Sequence, residues 1–106
     1  MPKYLLEVSY TADGARGLLK DGGSKRRAVA EKAIKDAGGT VEAFYFAFGG
    51  TDVYVIADMP DAVTAAALSL ALAASGAVTS RTTVLLSPAD IDAAVKKPGT
   101  YQPPGR

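Results

Sequence analysis

The chain has 106 residues, of which 48% are hydrophobic and 22% are charged, so its length and composition are typical of one globular domain. It contains no cysteine and no histidine, which excludes disulfides, thiol nucleophiles, imidazole bases and histidine metal ligands. The formal net charge of +1 argues against general electrostatic capture of nucleic acid. No acidic spacing resembles a calcium loop, so we predict neither a metal nor a cofactor.

No targeting or membrane segment is visible in the sequence. The N-terminus lacks the charged start, apolar stretch and cleavage site of a signal peptide. The most apolar internal stretch, residues 62–78, is mostly alanine and contains Thr64, Ser69 and Ser75. It falls short of the ~20 strongly apolar residues that a membrane span needs. We therefore expect a cytoplasmic protein with no membrane partner.

Periodicity divides the first part of the chain into a strand, a connection and a helix. Residues 3–10 alternate between two faces, which predicts a strand. Residues 11–23 contain four glycines and are predicted to be a glycine-rich connection. Ser24 is predicted to cap a helix that continues to Ala37, where Gly38 and Gly39 end it.

The second part of the chain repeats this pattern with two strands in place of one. The predicted elements are a strand over 40–48, a Gly49-Gly50 hairpin turn, a strand over 53–59, a helix over 60–75, a strand over 79–86 and a final helix to 97. Ser87, Pro88 and Asp90 are typical of the start of that last helix, as cap, first position and capping-box partner.

The order of strands and helices predicts an α+β fold. It is a ferredoxin-like βαββαβ arrangement with an extra C-terminal helix, in which two helices cover one face of an antiparallel four-stranded sheet. We assign residues 1–97 to this domain and residues 98–106 to a flexible C-terminal tail rich in proline and glycine.

Both faces of the predicted sheet are apolar, although helices are expected on one face only. In the second strand, alternation places Phe44, Phe46 and Phe48 on one face, and Val41, Ala43, Tyr45 and Ala47 on the other. A chain of this size cannot cover so much apolar surface alone, so we predict a homo-oligomer, a dimer or higher. The alternative is that the C-terminal helix and tail fold over the second face.

Four segments resemble the GYD-domain family of small prokaryotic proteins, namely residues 10–24, 39–48, 52–56 and 81–86. The resemblance extends over roughly residues 3–97. The family is named for a Gly-Tyr-Asp triplet, and the corresponding residues here are Gly50, Thr51 and Asp52, so the tyrosine is replaced. The resemblance implies a ferredoxin-like subunit, similar to those of dimeric α/β-barrel proteins. It implies little about activity.

A first candidate site is the glycine-rich segment and the basic helix start that follows it. Glycines at a helix N-terminus let an anion approach the backbone N–H groups. Three consecutive cations in a first helical turn are unfavourable unless an anion or an acidic partner offsets them. The predicted ligand-binding residues are Arg16, Lys20, Gly22, Gly23, Ser24, Arg27 and Tyr45. The alternative is a solvated helix start, paired with Asp13, Asp21 or a neighbouring subunit.

A second candidate site consists of Asp52, Tyr54 and Arg81. A carboxylate–arginine pair beside a tyrosine is able to bind a polar ligand or to transfer protons, so these three are the candidate catalytic residues if the protein is an enzyme. The alternative is a salt bridge between subunits within an aromatic interface.

These observations favour a homo-oligomeric ligand-binding or assembly module that binds a small anionic molecule at the glycine-rich segment. The partners expected are therefore a second copy of the chain and a small anion. The alternative is a cofactor-independent enzyme of the dimeric α/β-barrel type, an oxygenase, isomerase or decarboxylase, in which Asp, Tyr and Arg do the acid–base chemistry. A purely structural assembly protein is a third possibility.

Overall fold

The computed structural model describes residues 1–106 and contains four antiparallel strands and four helices. In order they are β1 (Lys3–Tyr10), α1 (Ala12–Asp21), α2 (Gly23–Asp36), β2 (Thr40–Phe46), β3 (Val53–Asp58), α3 (Ala62–Ala74), β4 (Val78–Leu85) and α4 (Pro88–Val95). The strand order in the sheet is β2-β3-β1-β4, and every neighbouring pair is antiparallel. This confirms the α+β, ferredoxin-like arrangement with an extra helix at the C-terminus.

The helix α1 was not predicted, because its glycines are typical of a loop. The hydroxyl of Thr11 caps it by accepting a hydrogen bond from the backbone N–H of Gly14, at 3.3 Å. Gly14 is buried, and a Cβ atom built there would lie 2.0 Å from the carbonyl oxygen of Ala77. Glycine is therefore needed here for the close approach of the helix to the chain before β4, and the prediction of a connection over 11–23 was wrong.

The start of α2 also differs from the prediction. Ser24 lies inside the first turn, and the N-cap is Gly22, whose φ of 79° is in the left-handed region that favours glycine. No side chain caps the first turn of α2. The predicted cap at Ser24 was wrong because Gly22 both ends α1 and begins α2, so the two helices follow each other without a loop.

The helix α4 begins as predicted, whereas α3 begins at Ala62 and not at the predicted Pro60, because Asp61 is its N-cap. The carboxylate of Asp61 caps α3 by accepting a hydrogen bond from the N–H of Thr64, at 2.7 Å. At α4, the hydroxyl of Ser87 accepts from the N–H of Asp90, and the Asp90 carboxylate accepts from the N–H of Ser87. The predicted capping box is therefore confirmed.

The hydrophobic core lies between one face of the sheet and the helices α2 and α3. We call this side the covered face. Its buried side chains come from the strands, from Met59, and from one residue of each of the two helices; they are Tyr4, Leu6, Val8, Ile34, Val53, Val55, Ala57, Met59, Ala65 and Val78. Leu6, between two partner strands, is 4% exposed, and Ala57 is fully buried.

The other side of the sheet, the open face, has no helix packed on it. Register and alternation assign to it Lys3, Leu5, Glu7, Ser9, Ala43, Tyr45, Tyr54, Ile56, Asp58, Thr79, Arg81, Thr83 and Leu85. The register between β2 and β3 shifts between Val41 and Ala43, which leaves Glu42 as an extra residue. This bulge puts Val41 on the covered face with Phe44, so the predicted grouping of Val41 with Tyr45 was wrong.

The C-terminal helix does not cover the open face. No residue of α4 is buried, and the side chain of Tyr45 on the open face is 70% exposed. The tail after residue 97 forms neither helix nor strand. The alternative in which α4 and the tail fold over the sheet is therefore not the arrangement adopted. None of the four helices has both the length and the hydropathy needed to span a membrane.

Candidate functional site

A groove runs between the α1–α2 junction and the loop that joins β2 to β3. Its volume is about 590 Å3, and most of its wall is apolar or aromatic. The residues that line it are Tyr10, Ala15, Leu18, Leu19, Gly22, Gly23, Phe46, Ala47, Phe48 and Asp52. Phe48 is fully exposed in the groove wall, which makes it an aromatic surface available to a ligand. A groove of this size and polarity is typical of sites for small molecules with an apolar body.

The predicted glycine pair forms one wall of this groove. A Cβ atom at Gly23 would lie 3.1 Å from the ring of Phe46, so the first turn of α2 lies close enough to that ring for a side chain there to crowd it. Because no side chain caps this turn, its backbone N–H groups have no side-chain acceptor. The N–H of Gly22 donates to the carbonyl of Leu18 at 2.8 Å, so Gly23 is the glycine that brings an uncapped helix N–H group next to an aromatic wall.

Two polar side chains, Tyr10 and Asp52, lie in the groove. Burial raises the pKa of the Tyr10 hydroxyl, the carboxylate of Asp52 raises it further, and the nearby Arg26 guanidinium partly opposes both. One oxygen of Asp52, Oδ2, accepts a hydrogen bond from the backbone N–H of Tyr10 at 2.8 Å. The Tyr10 phenol therefore stays protonated at neutral pH.

The predicted cations of α1 and α2, apart from Lys20, are paired with carboxylates of these two helices. Arg16 pairs with Asp13, Arg27 pairs with Glu31 at 2.7 Å, and Lys25 and Arg26 pair with Asp21 at 3.4 and 3.6 Å. These pairs offset the charge at the start of α2, as the alternative for the first site proposed.

Of the seven predicted ligand-binding residues, the groove brings together only two, Gly22 and Gly23. Lys20 and Ser24 are exposed and line none of the groove, and Tyr45 lies on the open face. The aromatic and apolar wall was not predicted as a site, because alternation placed Phe46 and Phe48 on an apolar face of the sheet.

A row of four side chains crosses the open face, one from each strand. Tyr45 of β2 is opposite Tyr54 of β3, which is opposite Glu7 of β1, which is opposite Arg81 of β4. Arg81 pairs with Glu7 at 3.6 Å. The structure thus brings together Tyr45, Tyr54 and Arg81 and adds Glu7, which sequence reasoning missed because only the strand register places it in this row.

Asp52 does not join this row. Its carboxylate binds the N–H of Tyr10, and its own N–H donates to the carbonyl of Val8 at 2.9 Å. The hydroxyl of Ser9 donates to the carbonyl of Gly50, and Thr51, which lies between Gly50 and Asp52 in the chain, is buried. The triplet Gly50-Thr51-Asp52 therefore fastens the β2–β3 loop to the end of β1. Asp52, Tyr54 and Arg81 are not gathered in the groove that Asp52 lines.

The far end of the open face carries a second charged cluster. Lys3 pairs with Glu42 and with Asp58, the latter at 3.0 Å. Hydrogen bonds to Glu42 and then Asp58 raise the pKa of Lys3. The two charged clusters thus flank the apolar middle of the open face, Leu5 and Ile56. No cluster of three or more acidic side chains is placed to hold a metal ion.

Comparisons with known proteins identify a family and nothing more specific. Searches of curated proteins and of solved structures found no match. The family model described as the GYD domain matches residues 4–95, which include all four helices and all of the four strands except Lys3. The chain therefore belongs to the GYD domain family.

Proposed function

We propose that the protein is a homo-oligomeric ligand-binding module whose copies associate through the open face. The observation that carries this proposal is the exposure of Tyr45 and Tyr54 beside Leu5 and Ile56, on a face that no helix of the chain covers. Aromatic and aliphatic side chains between flanking charges are the usual anatomy of a protein interface. Burial of a tyrosine removes roughly 150–250 Å2 from water, worth ~25 cal/mol per Å2.

The second part of the proposal is that each copy holds a small ligand in the groove. Its wall favours an apolar or aromatic body stacked on Phe46 and Phe48. The uncapped first turn of α2 favours a small anionic head at Gly23, beside Gly22. The proposed ligand is therefore the small anion predicted from the sequence, extended by the apolar body that the groove wall favours.

The enzyme alternative has less geometric support. Acid–base chemistry by Asp52, Tyr54 and Arg81 requires the three side chains in one pocket within hydrogen-bond reach of a substrate. Asp52 lines the groove and fastens a loop, whereas Tyr54 and Arg81 lie in the row across the open face. The geometry therefore favours a binding module.

The association is tested by the mass of the protein in solution. We expect light scattering at micromolar concentration to give a multiple of the 10.9-kDa chain. Tyr45→Lys introduces a charge at a position that is already 70% exposed in one chain, so it leaves the fold intact and lowers the mass. Val29→Lys, at an exposed apolar position of α2, is the matched control and retains the wild-type mass. A monomeric wild-type protein would overturn the proposed association.

The ligand is tested with three probes that share one apolar body. Phenylacetate, phenylacetamide and phenethylamine are compared by thermal shift at millimolar concentration. We expect phenylacetate to stabilise the protein most, because its carboxylate is the only anionic head among the three probes. Linkage gives a stabilisation of ~2.7 kcal/mol at a hundredfold excess of ligand over Kd. Stronger stabilisation by the amine would mean that the carboxylate of Asp52 selects the ligand, and would contradict the anionic head.

Gly23→Ala supplies the matching variant for the groove. The added Cβ atom crowds the ring of Phe46 and narrows the groove, so the thermal shift with phenylacetate should fall. Gly17→Ala is the control, because a Cβ atom at Gly17 has no neighbour within 4 Å and Gly17 does not line the groove. Equal shifts in both variants would place the ligand elsewhere.

A further inference from the structure

The helix α3 exposes apolar surface on the side turned away from the sheet. Its 13 residues include no charged side chain, yet only Ala65 is buried. Val63 is 80% exposed and Leu70 is 70% exposed. A helix that is apolar all round is normally covered on more than one side. Something outside this chain is therefore expected to pack on the outer side of α3.

The strand β4 is an open edge of the sheet next to this helix. It pairs only with β1, so the backbone groups on its other side have no strand partner. It has eight residues, no proline and one charged side chain, Arg81. Proteins usually protect such an edge with a bulge, a proline, several charges or a covering segment. None of these protects β4, so another strand is the expected partner of its edge.

The helix α4 follows β4, and no other part of the chain buries any of its residues. Its eight residues are all exposed, and Ile91 and Val95, one turn apart, form an apolar pair on its surface. A helix this short is not stable by itself in water, even with the capping box at Ser87. Its helical state therefore implies a packing partner for Ile91 and Val95.

We propose that a second copy of the chain covers all three features at once. The two β4 strands pair antiparallel across a two-fold axis, and α4 of each chain packs on the outer side of α3 of the partner. This surface is separate from the open face, so the inference goes beyond the proposed function.

The connectivity of the chain supports this occupant. Antiparallel pairing of two β4 strands places the end of each strand, from which α4 leaves, beside the start of the other. A short turn at Gly76 joins the end of α3 to the start of β4. The beginning of α4 therefore lies close to the C-terminal half of α3 of the partner, where Leu70 of the partner subunit is exposed.

The charge pattern limits how the two strands align. A register that puts Arg81 opposite the partner's Arg81 is disfavoured, because like charges directly opposite each other repel. A shift by two residues puts Arg81 opposite Thr83 of the partner subunit and keeps every side chain on its own face. The same pairing makes one continuous eight-stranded sheet from the two four-stranded sheets.

Cysteine cross-linking tests the contact between α4 and α3. The natural chain contains no cysteine, so every disulfide reports an introduced pair. Leu70→Cys and Ile91→Cys are made in separate chains with tags of different size, mixed and oxidised. We expect a disulfide-linked heterodimer in several-fold excess over the product formed with Val29→Cys in place of Leu70→Cys. A yield equal to that of the Val29→Cys control would overturn the proposal.

Solution mass separates this surface from the open face. With both surfaces in use, the wild type is a tetramer, Leu70→Lys and Tyr45→Lys each give a dimer, and the double variant is a monomer. Circular dichroism confirms that each variant is folded, as expected for positions that are exposed in the single chain. An unchanged mass for Leu70→Lys would overturn the present inference and leave the open-face association standing. An unchanged mass for Tyr45→Lys would do the reverse.

Discussion

The two faces of the sheet differ in how they are covered, although both carry apolar side chains. Leu5 and Leu6 are neighbours in β1, yet Leu6 belongs to the buried core under α2 and α3, whereas Leu5 lies on the face without helices. The covered face is complete within one chain. The open face has aromatic side chains and flanking ion pairs and is completed, in our proposal, by another copy. A chain of 106 residues can enclose one side of such a sheet but not both.

The largest effect should come from truncating these two neighbours. We expect Leu6→Ala to lower the free energy of unfolding by about 2–5 kcal/mol, because it removes buried methyl groups and leaves a cavity. Leu5→Ala should cost much less in the isolated chain, and its cost should increase with protein concentration as the open faces associate. Urea unfolding at several concentrations measures both. Equal losses at high dilution would show that the open face is covered within one chain.

A second contrast uses glycines on either side of β2. Gly39 is buried, and a Cβ atom there would lie 2.3 Å from the carbonyl oxygen of Asp58 and 2.8 Å from the sulfur of Met59. Gly39→Ala should therefore destabilise the protein by about 1–3 kcal/mol. Gly49→Ala meets no atom within 4 Å and should stay within about 0.5 kcal/mol of the wild type. Chemical unfolding measures the free energy of unfolding of both variants. An unchanged free energy of unfolding for Gly39→Ala would contradict the close packing at this end of the covered face.

Acid should weaken the covered face through the cap of α3. Hydrogen bonds from Thr64 lower the pKa of Asp61 below its ordinary value. The stabilisation is therefore complete above the ordinary pKa of aspartate, about 4, and is lost as the pH falls through the lower pKa of the folded state. Asp61→Asn retains a capping oxygen that does not titrate. Melting temperatures between pH 2.5 and 6 should fall less steeply for this variant, and identical profiles would contradict the assignment.

The smallest effect on the single chain should come from the ion pair of the open face. Arg81 is 76% exposed, so the pair with Glu7 is screened by solvent and Arg81→Gln should change the free energy of unfolding by at most about 1 kcal/mol. Its effect on association should be larger, because the pair is buried when open faces meet. Unfolding and dissociation are measured in the same low-salt and high-salt buffers. If Arg81→Gln changes the free energy of unfolding but not that of dissociation, Arg81 is not part of the interface.

Local signals predicted most of the secondary structure. Alternation located the four strands, and the capping box at Ser87 gave the start of α4 to the residue. Local signals of a helix were also present for α1. Thr11 is a good N-cap residue, and Asp13 is an acidic residue in the first turn. The glycines of this segment nevertheless led to the prediction of a loop. Gly14 is needed for the close approach to Ala77, and the sequence does not reveal this reason because the two residues are far apart in the chain.

The candidate sites were predicted less completely. Gly22 and Gly23 were correctly placed at a helix start, but their aromatic neighbour Phe46 comes from β2. Asp52 was expected to pair with Arg81, and it instead binds the N–H of Tyr10, while Arg81 pairs with Glu7. Pairing across strands depends on register, and a bulge of one residue, such as that at Glu42, moves the side chains that follow it to the other face.

The sequence by itself determined the α+β order of elements apart from α1, the family and the excess of apolar surface, because these follow from periodicity, composition and local motifs. Only the tertiary structure decided which face of the sheet stays open, which carboxylate of that face meets which cation, and where the glycine pair meets an aromatic ring. Those contacts join residues separated by tens of positions, and their geometry is set by strand register and helix packing.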